Sequence, residues 1–411
     1  MMRALLVLYM VIVLKFGEAF GTSRYADYYG LIELGAVLGA LFADRLLGLK
    51  RAILLGGWFM GSGHLLLALD YSFVGLALVV VGSSLFAANI IQLSENGQKG
   101  PTSIYLLLNA GGFIVTPFCA LFAQHGWHIG FWIAAGGTLI ANVLLHRFGS
   151  FPETPRRVSL SKAALFISAA IVVVAIGMVR TDLSLALLPW IELAVFGYIA
   201  YCLLNEGILT IKQLSALGIY LVGLTLFYTI EEQVGNSAYA LADEIQASRG
   251  LTLAPTLIAA MNPLMILLFE GPIDGVCRKR KQPWLRVALP FAIGSICFLL
   301  LSLGGNSLWM AGLVASSITL GELIIGSAVY DTCIEISHRG KSKAIGLVSI
   351  VFALATSVGS RFCKTAAHGF TFQAHDLALL LAAVGIVLSV GLLILHLNKM
   401  PAILYNTLHR R

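Results

Sequence analysis

The stretch GALFADRLLGLKR, residues Gly39 to Arg51, lies between two long apolar runs. It gathers Asp44, Arg45, Lys50 and Arg51 into a short segment, with glycines at Gly39 and Gly48. A glycine at the end of an apolar run lets two helices approach closely. Basic residues in a short connection between apolar runs mark the cytoplasmic side of a membrane. The stretch therefore predicts a tight cytoplasmic loop between two membrane-crossing helices.

Composition agrees with that environment. Hydrophobic residues make up 58% of the 411-residue chain and charged residues 11%, against about 25% charged in an ordinary soluble domain. Mean hydropathy is +0.89. Apolar blocks of about 20 residues, the length that crosses a bilayer as a helix, recur from end to end. Helices satisfy their own backbone hydrogen bonds in lipid, so an all-α polytopic membrane protein is the expected class.

Fourteen spans are expected, arranged six, two and six. The first half offers 2–14, 28–42, 52–69, 74–93, 104–122 and 130–145. A middle pair at 163–179 and 183–204 reads either as two further spans or as an interfacial hairpin. The second half offers 214–232, 253–268, 287–303, 309–330, 344–358 and 378–397. The expected organisation is 1–147 and 213–398 as two bundles, 148–212 as the connecting pair and 399–411 as a tail. With the amino terminus inside, most lysines and arginines fall on one side, including Arg156, Arg157, Lys279 and Arg280. That asymmetry places both termini in the cytoplasm. The net charge of +7 is then topological, and nucleic acid is not an expected partner.

The six cysteines have no metal-type spacing and read as packing residues. His125 and His128 form an HxxH without a carboxylate nearby in sequence, which reads as interfacial rather than as a metal site. No HExxH, G-x-S-x-G or P-loop is present, so no enzymatic chemistry is expected. The amino-terminal run MMRALLVLYMVIVL resembles a signal peptide, but KFGEAFG is a weak cleavage site. As a span it is short, rising about 21 Å against a hydrocarbon core of about 30 Å.

Ionisable and amide side chains inside the spans are the candidate functional set, because a charge at bilayer depth is costly unless paired or wet. They are Arg3, Glu33, Glu231, Glu232 and Glu322, with Asn109 and Asn262. Each also has a plainer reading, as a helix-end residue reaching the interface or as a helix–helix hydrogen bond.

Several segments carry a family resemblance. GALFADRLLGLKRAILLGGWFMGSGHLLLAL, GSSLFAAN, IYLLLNAGGFIVTPF, HGWHIGFWIAA, FYTIEEQVGNS, MNPLMILLFEGP and LGELIIGS follow one another in order over nearly the full length. Together they resemble the proton-dependent oligopeptide transporters, a branch of the major facilitator superfamily. The resemblance implies the major facilitator fold, two six-helix bundles with two extra helices between them. It also implies proton-coupled uptake of di- and tripeptides, or related zwitterions, by alternating access. The proton gradient would drive it without a cofactor, in the bacterial inner membrane, with a monomer as the working unit. Gly39, Asp44, Arg45, Gly48, Lys50 and Arg51 would form a conformational latch. Arg3 would take the peptide carboxylate and Glu322 its ammonium, with Asn109 and Asn262 on backbone amides. Tyr228 stands at the position of a family aromatic, and Glu33 where many members place a substrate-contacting tyrosine. Glu33, Glu231 and Glu232 would carry the proton or gate the site.

The chain also departs from the pattern. The ExxER signature would lie before Met1, so either Met1 is internal to a longer reading frame or this divergent member has lost it. Ala87 and Ala88 replace the lysine and proline of LFKPN. Ser327 replaces the proline of GEL.LSP, and Val348 replaces a tryptophan. Two alternatives therefore stand beside peptide uptake: another major-facilitator activity that exports drugs or metabolites, and a non-transporting member of the family.

Overall fold

A computed structural model describes residues 6, 9–10, 18–95, 101–123, 125–149, 151, 160–179, 181–249, 254–279, 283–303, 307–336, 346–359 and 382–391. Among these residues the regular structure is helical throughout. The helices are α1 Glu18–Phe42, α2 Leu49–Ala68, α3 Ser72–Glu95, α4 Pro101–Ala123, α5 Trp127–Phe148, α6 Leu160–Val179, α7 Thr181–Asn205, α8 Ile211–Arg249, α9 Ala254–Lys279, α10 Pro283–Leu303 and α11 Leu308–Ile336. Two shorter stretches follow, α12 Gly346–Gly359 and α13 Ala382–Gly391. Among the described residues, five helices contain a segment of 20 to 22 residues long and apolar enough to cross a membrane. Large apolar side chains face outward, including Trp309, Phe148, Trp190, Val173 and Ile114. Lipid is the solvent that suits such a surface.

The chain divides into two compact units, Met1–Glu192 and Leu193–Arg411. In the first unit α3 packs between α1 and α2, α2 also packs on α5, and α6 packs on α3. Glycine makes the closest contacts. A Cβ on Gly63 would stand 2.7 Å from the Gly75 carbonyl oxygen, and one on Gly56 would stand 2.7 Å from that of Gly82. The backbones of α2 and α3 therefore touch, as small residues allow in a membrane. Gly39 of α1 abuts the Ser84 backbone of α3 in the same way, and Gly35 abuts the Ser84 side chain. Tyr9 fills the space beside α5, edge-on to Phe131 with ring centroids 4.9 Å apart. Its hydroxyl shares a hydrogen bond with Ser72 at 3.0 Å.

The middle pair forms two helices, α6 and α7, of 20 and 25 residues; α7 contains a 20-residue segment apolar enough to cross a membrane, and α6 a shorter apolar stretch, Ile167–Gly177. Ile167 of α6 joins a buried cluster with Val81 and Leu85 of α3, so the first extra helix belongs to the first unit's packing. In the second unit α8 packs on α9, α10 and α11, while α11 also packs on α9 and α10. Phe227 of α8 and Phe291 of α10 meet edge to face at 5.9 Å.

Two helices run well past their apolar segments. α1 begins at Glu18, ten residues before the expected start. α8 continues from Glu232 to Arg249 and has 39 residues, a rise of about 58 Å. Its start is fixed by a capping box: Gln213 N–H donates to Thr210 Oγ1 at 3.2 Å, and Thr210 N–H donates to Gln213 Oε1 at 3.0 Å.

The tight loop expected at 39–51 is corrected to a continuation of the helix. The chain stays helical through Ala43–Leu47 as a π turn, closed by Gly48 N–H donating to the Ala43 carbonyl at 2.8 Å. Gly48 alone breaks the helix, at φ 80°, a conformation glycine adopts without a Cβ clash. Lys50 and Arg51 consequently lie in the first turn of α2.

Candidate functional site

The second unit gathers the candidate polar residues into two helix–helix contacts. The first joins α9 to α11. Asn262 Nδ2 donates to Glu322 Oε2 at 2.9 Å and to Thr319 Oγ1 at 3.1 Å. Thr319 donates in turn to the Ala315 carbonyl at 2.8 Å, one turn earlier in α11. Pro263 follows Asn262 inside α9. Its ring nitrogen has no hydrogen for the carbonyl four residues earlier, which loosens the helix at this point. A carboxylate at mid-helix thus accepts a hydrogen bond from a neutral carboxamide on the facing helix.

The second contact joins α8 to α12. The Tyr228 ring stands edge-on to Phe352 at 4.3 Å, and Thr356 Oγ1 donates to Glu232 Oε1 at 3.3 Å. The spacing explains the register. Tyr228 and Glu232 are four apart on one helix, Phe352 and Thr356 four apart on the other, so both pairs fall on facing stripes. The Tyr228 hydroxyl also reaches α11, 3.9 Å from where a Cβ on Gly326 would stand. Glu231 is half-buried on α8 beside Glu232.

In the first unit Glu33 is half-buried at mid-helix in α1, and Asn109 is half-buried in α4. Arg3 lies outside the described residues. The latch positions are spread over three elements. Gly39 closes on Ser84, and its carbonyl accepts a bond from Asn89 Nδ2 at 3.4 Å. Asp44 and Arg45 sit in the π turn, with their side chains outside the description. The Lys50 ammonium lies over the Phe151 ring at 5.4 Å, a cation–π contact. Arg51 is half-buried in α2.

Three features were not anticipated. Thr319 and Thr356 complete the two polar contacts; Thr319 precedes Glu322 by three residues and so shares its face. Arg286 of α10 donates through Nη2 to Ser327 Oγ at 2.8 Å, so the serine standing for a family proline ties two helices together. The expectation that His128 has no carboxylate near it is corrected in space. Its Nδ1 lies 3.1 Å from the Ala68 carbonyl and 3.8 Å from Asp70 Oδ1. Asp70 is brought there by a turn in which it takes φ 67°.

Helices with apolar exteriors and polar side chains paired across them within the apolar segments are the make-up of a polytopic membrane protein. Solved structures specify its architecture as the major facilitator fold with two extra helices. A POT family transporter in complex with 5-aminolevulinic acid superposes with a TM-score of 0.79 at 20% identity, covering 96% of this chain and 92% of that one. A peptide transporter in complex with sulfate gives 0.80 at 20% identity, with 97% and 91% covered. A bacterial homologue of the human drug peptide transporters PepT1 and PepT2 gives 0.77 at 20% identity, with 99% and 95% covered. Residues 50–315, more than half of the chain, match the model of the POT family. The chain belongs to that family. It is 26% identical over 371 residues to dipeptide and tripeptide permease A of Escherichia coli K12, covering 79% of this chain and 72% of that protein. The corresponding permease of Citrobacter koseri is 27% identical over 355 residues, with 76% and 68% covered.

Proposed function

We propose that the protein is a secondary active transporter that takes up di- and tripeptides, or related zwitterions such as aminolevulinate, in symport with protons. The observation that carries this reading is the Glu322 carboxylate, held by Asn262 across the contact between α9 and α11. A peptide brings an ammonium at one end and a carboxylate at the other. Glu322 is suited to the first, and Arg3 is assigned to the second. Tyr228, Asn109 and Asn262 line the peptide, Glu33, Glu231 and Glu232 handle the proton or the gate, and the 39–51 segment latches the bundle. Permeases of di- and tripeptides among the relatives support the substrate class. Crystal structures of family members with 5-aminolevulinic acid and with a conjugated peptide support its breadth. We place the protein in the bacterial inner membrane as a monomer, with both termini in the cytoplasm.

The test is uptake of free-amino and N-acetylated peptides by Glu322→Gln. The neutral variant is expected to lose free-amino peptides by tenfold or more, about the 1.5–3 kcal/mol of a charge-assisted bond, and to handle acetylated ones unchanged. Equal losses for both would remove Glu322 from the assignment.

A further inference from the structure

A carboxamide presents two hydrogens on one side and a carbonyl oxygen on the other, and a half-turn exchanges them. Which side Asn262 turns to Glu322 therefore decides what an incoming ammonium meets. Thr319 fixes that choice. Its side chain is buried, with 1% exposed, and its single hydroxyl hydrogen is given to the Ala315 carbonyl at 2.8 Å. Toward Asn262, 3.1 Å away, Thr319 Oγ1 can only accept. The reversed carboxamide would set Oδ1 against that oxygen and against the Glu322 carboxylate, three acceptors with no hydrogen between them. Nδ2 accordingly faces both partners, and both its hydrogens are committed.

We propose that Thr319 is a positioning residue for recognition of the substrate's ammonium group, acting through Asn262. It holds the carboxamide so that Glu322 receives one N–H, and Oδ1 becomes the polar atom of Asn262 left to meet a further donor. An ammonium with three hydrogens can use both the carboxylate and that oxygen. An acetylated amine has one hydrogen and no charge, and gains little from the arrangement. Thr319 thereby sharpens the preference for a free amino end. This inference rests on the reading of Glu322 as the ammonium partner.

The test compares Thr319→Val, which keeps the shape and removes the acceptor, with Thr319→Ser, which keeps the hydroxyl. Each is assayed for uptake of dialanine and N-acetyl-dialanine in proteoliposomes containing the full chain. Thr319→Val is expected to raise the half-saturating concentration of dialanine about fivefold, the scale of one lost neutral hydrogen bond, and to leave N-acetyl-dialanine within about twofold. Thr319→Ser is expected to retain the original ratio. Parallel losses for the two peptides, an unchanged ratio in Thr319→Val, or a valine-like Thr319→Ser would each overturn the proposal. Should Thr319→Val fail to assemble, Thr319→Ala is measured by the same criteria. Glu322→Gln, run in parallel, separates the two levels. If it keeps the free-amino preference, or if dialanine is not carried at all, the reading of Glu322 fails and Thr319 falls with it. If it abolishes the preference while Thr319→Val does not change it, only the role of Thr319 fails.

Discussion

A single methyl group placed between α2 and α3 is expected to force the helices apart. In Gly63→Ala the added carbon would stand 2.7 Å from the Gly75 carbonyl oxygen and 2.8 Å from the Val79 nitrogen. Both are backbone atoms and cannot rotate away. Ordinary contact begins at 3.4 Å, so the two axes must separate by several tenths of an ångström. The gap then opens along the whole seam, including the point where a Cβ on Gly56 would stand 2.7 Å from the Gly82 carbonyl oxygen. Overpacking of this kind costs about 1–3 kcal/mol. Gly75→Ala meets the same seam from the other side, 2.9 Å from the Gly63 oxygen, and is expected to cost a similar amount. Once the helices have parted for one methyl, the second enters space already opened. The double variant should therefore lose less than the sum, with a coupling of about 1 kcal/mol, within the range for residues in contact. Gly137→Ala is the control, because a Cβ there meets nothing within 4 Å. The assay is reversible unfolding in mixed micelles, supported by thermal shifts of the purified protein. Additive losses, or single variants no less stable than Gly137→Ala, would refute the backbone-contact argument.

Other outcomes follow from the same geometry. Asn142→Leu removes the bond from Asn142 Nδ2 to the Leu54 carbonyl at 3.1 Å, and unfolding measurements should show a loss of about 0.6–1.7 kcal/mol, the range for polar contacts between membrane helices. Uptake is expected to rise as external pH falls, because the carrying carboxylate must be loaded with a proton outside. Glu33→Gln should flatten that profile while substrate exchange persists; unchanged profiles in both Glu33→Gln and Glu232→Gln would leave those two carboxylates without a coupling role. Cysteines introduced at positions 157 and 280 should resist an impermeant thiol reagent in intact cells, whereas one at position 24 should react; external labelling at 280 would reverse the assigned topology.

Among the described residues, hydropathy located the helices but not their ends; the expected first span, 2–14, lies almost wholly outside them. The apolar window over 28–42 misses the first ten residues of α1, where Glu18, Arg24 and Asp27 lower the mean while the backbone stays helical. The same holds for α8 beyond Glu232, where polar residues extend a helix that has already crossed the apolar layer. Charge density at 44–51 suggested a loop, yet one positive φ at Gly48 was enough to turn the chain. Within the site, Asn262 and Glu322 were legible because an amide and an acid stand out in apolar spans. Their pairing across α9 and α11 was not, since 60 residues separate them. Thr319 was overlooked for a chemical reason. A hydroxyl in a membrane helix ordinarily bonds back to its own carbonyls, and nothing in a sequence shows whether its acceptor side is also used. His128 and Asp70 were separated by the same kind of distance and joined by a turn that hydropathy does not see.

The strength of the Asn262–Glu322 contact bears on whether it can serve a transport cycle. Side-chain hydrogen bonds between membrane helices average about 0.6 kcal/mol and rarely exceed about 1.7. An arginine or lysine in the place of Asn262 would hold the carboxylate far more tightly, since breaking a buried ion pair costs about 3–5 kcal/mol. The carboxamide contact to Glu322 is therefore, in itself, weak enough to be exchanged. A substrate ammonium offers a charge-assisted bond of about 1.5–3 kcal/mol, enough to gain from meeting Glu322 and small enough to be released later. The same reasoning applies to Glu232, whose bond to Thr356 is neutral on the donor side and 3.3 Å long. In the proposed cycle, a neutral bond of this kind to each carboxylate is weak enough to be broken and remade on every turnover.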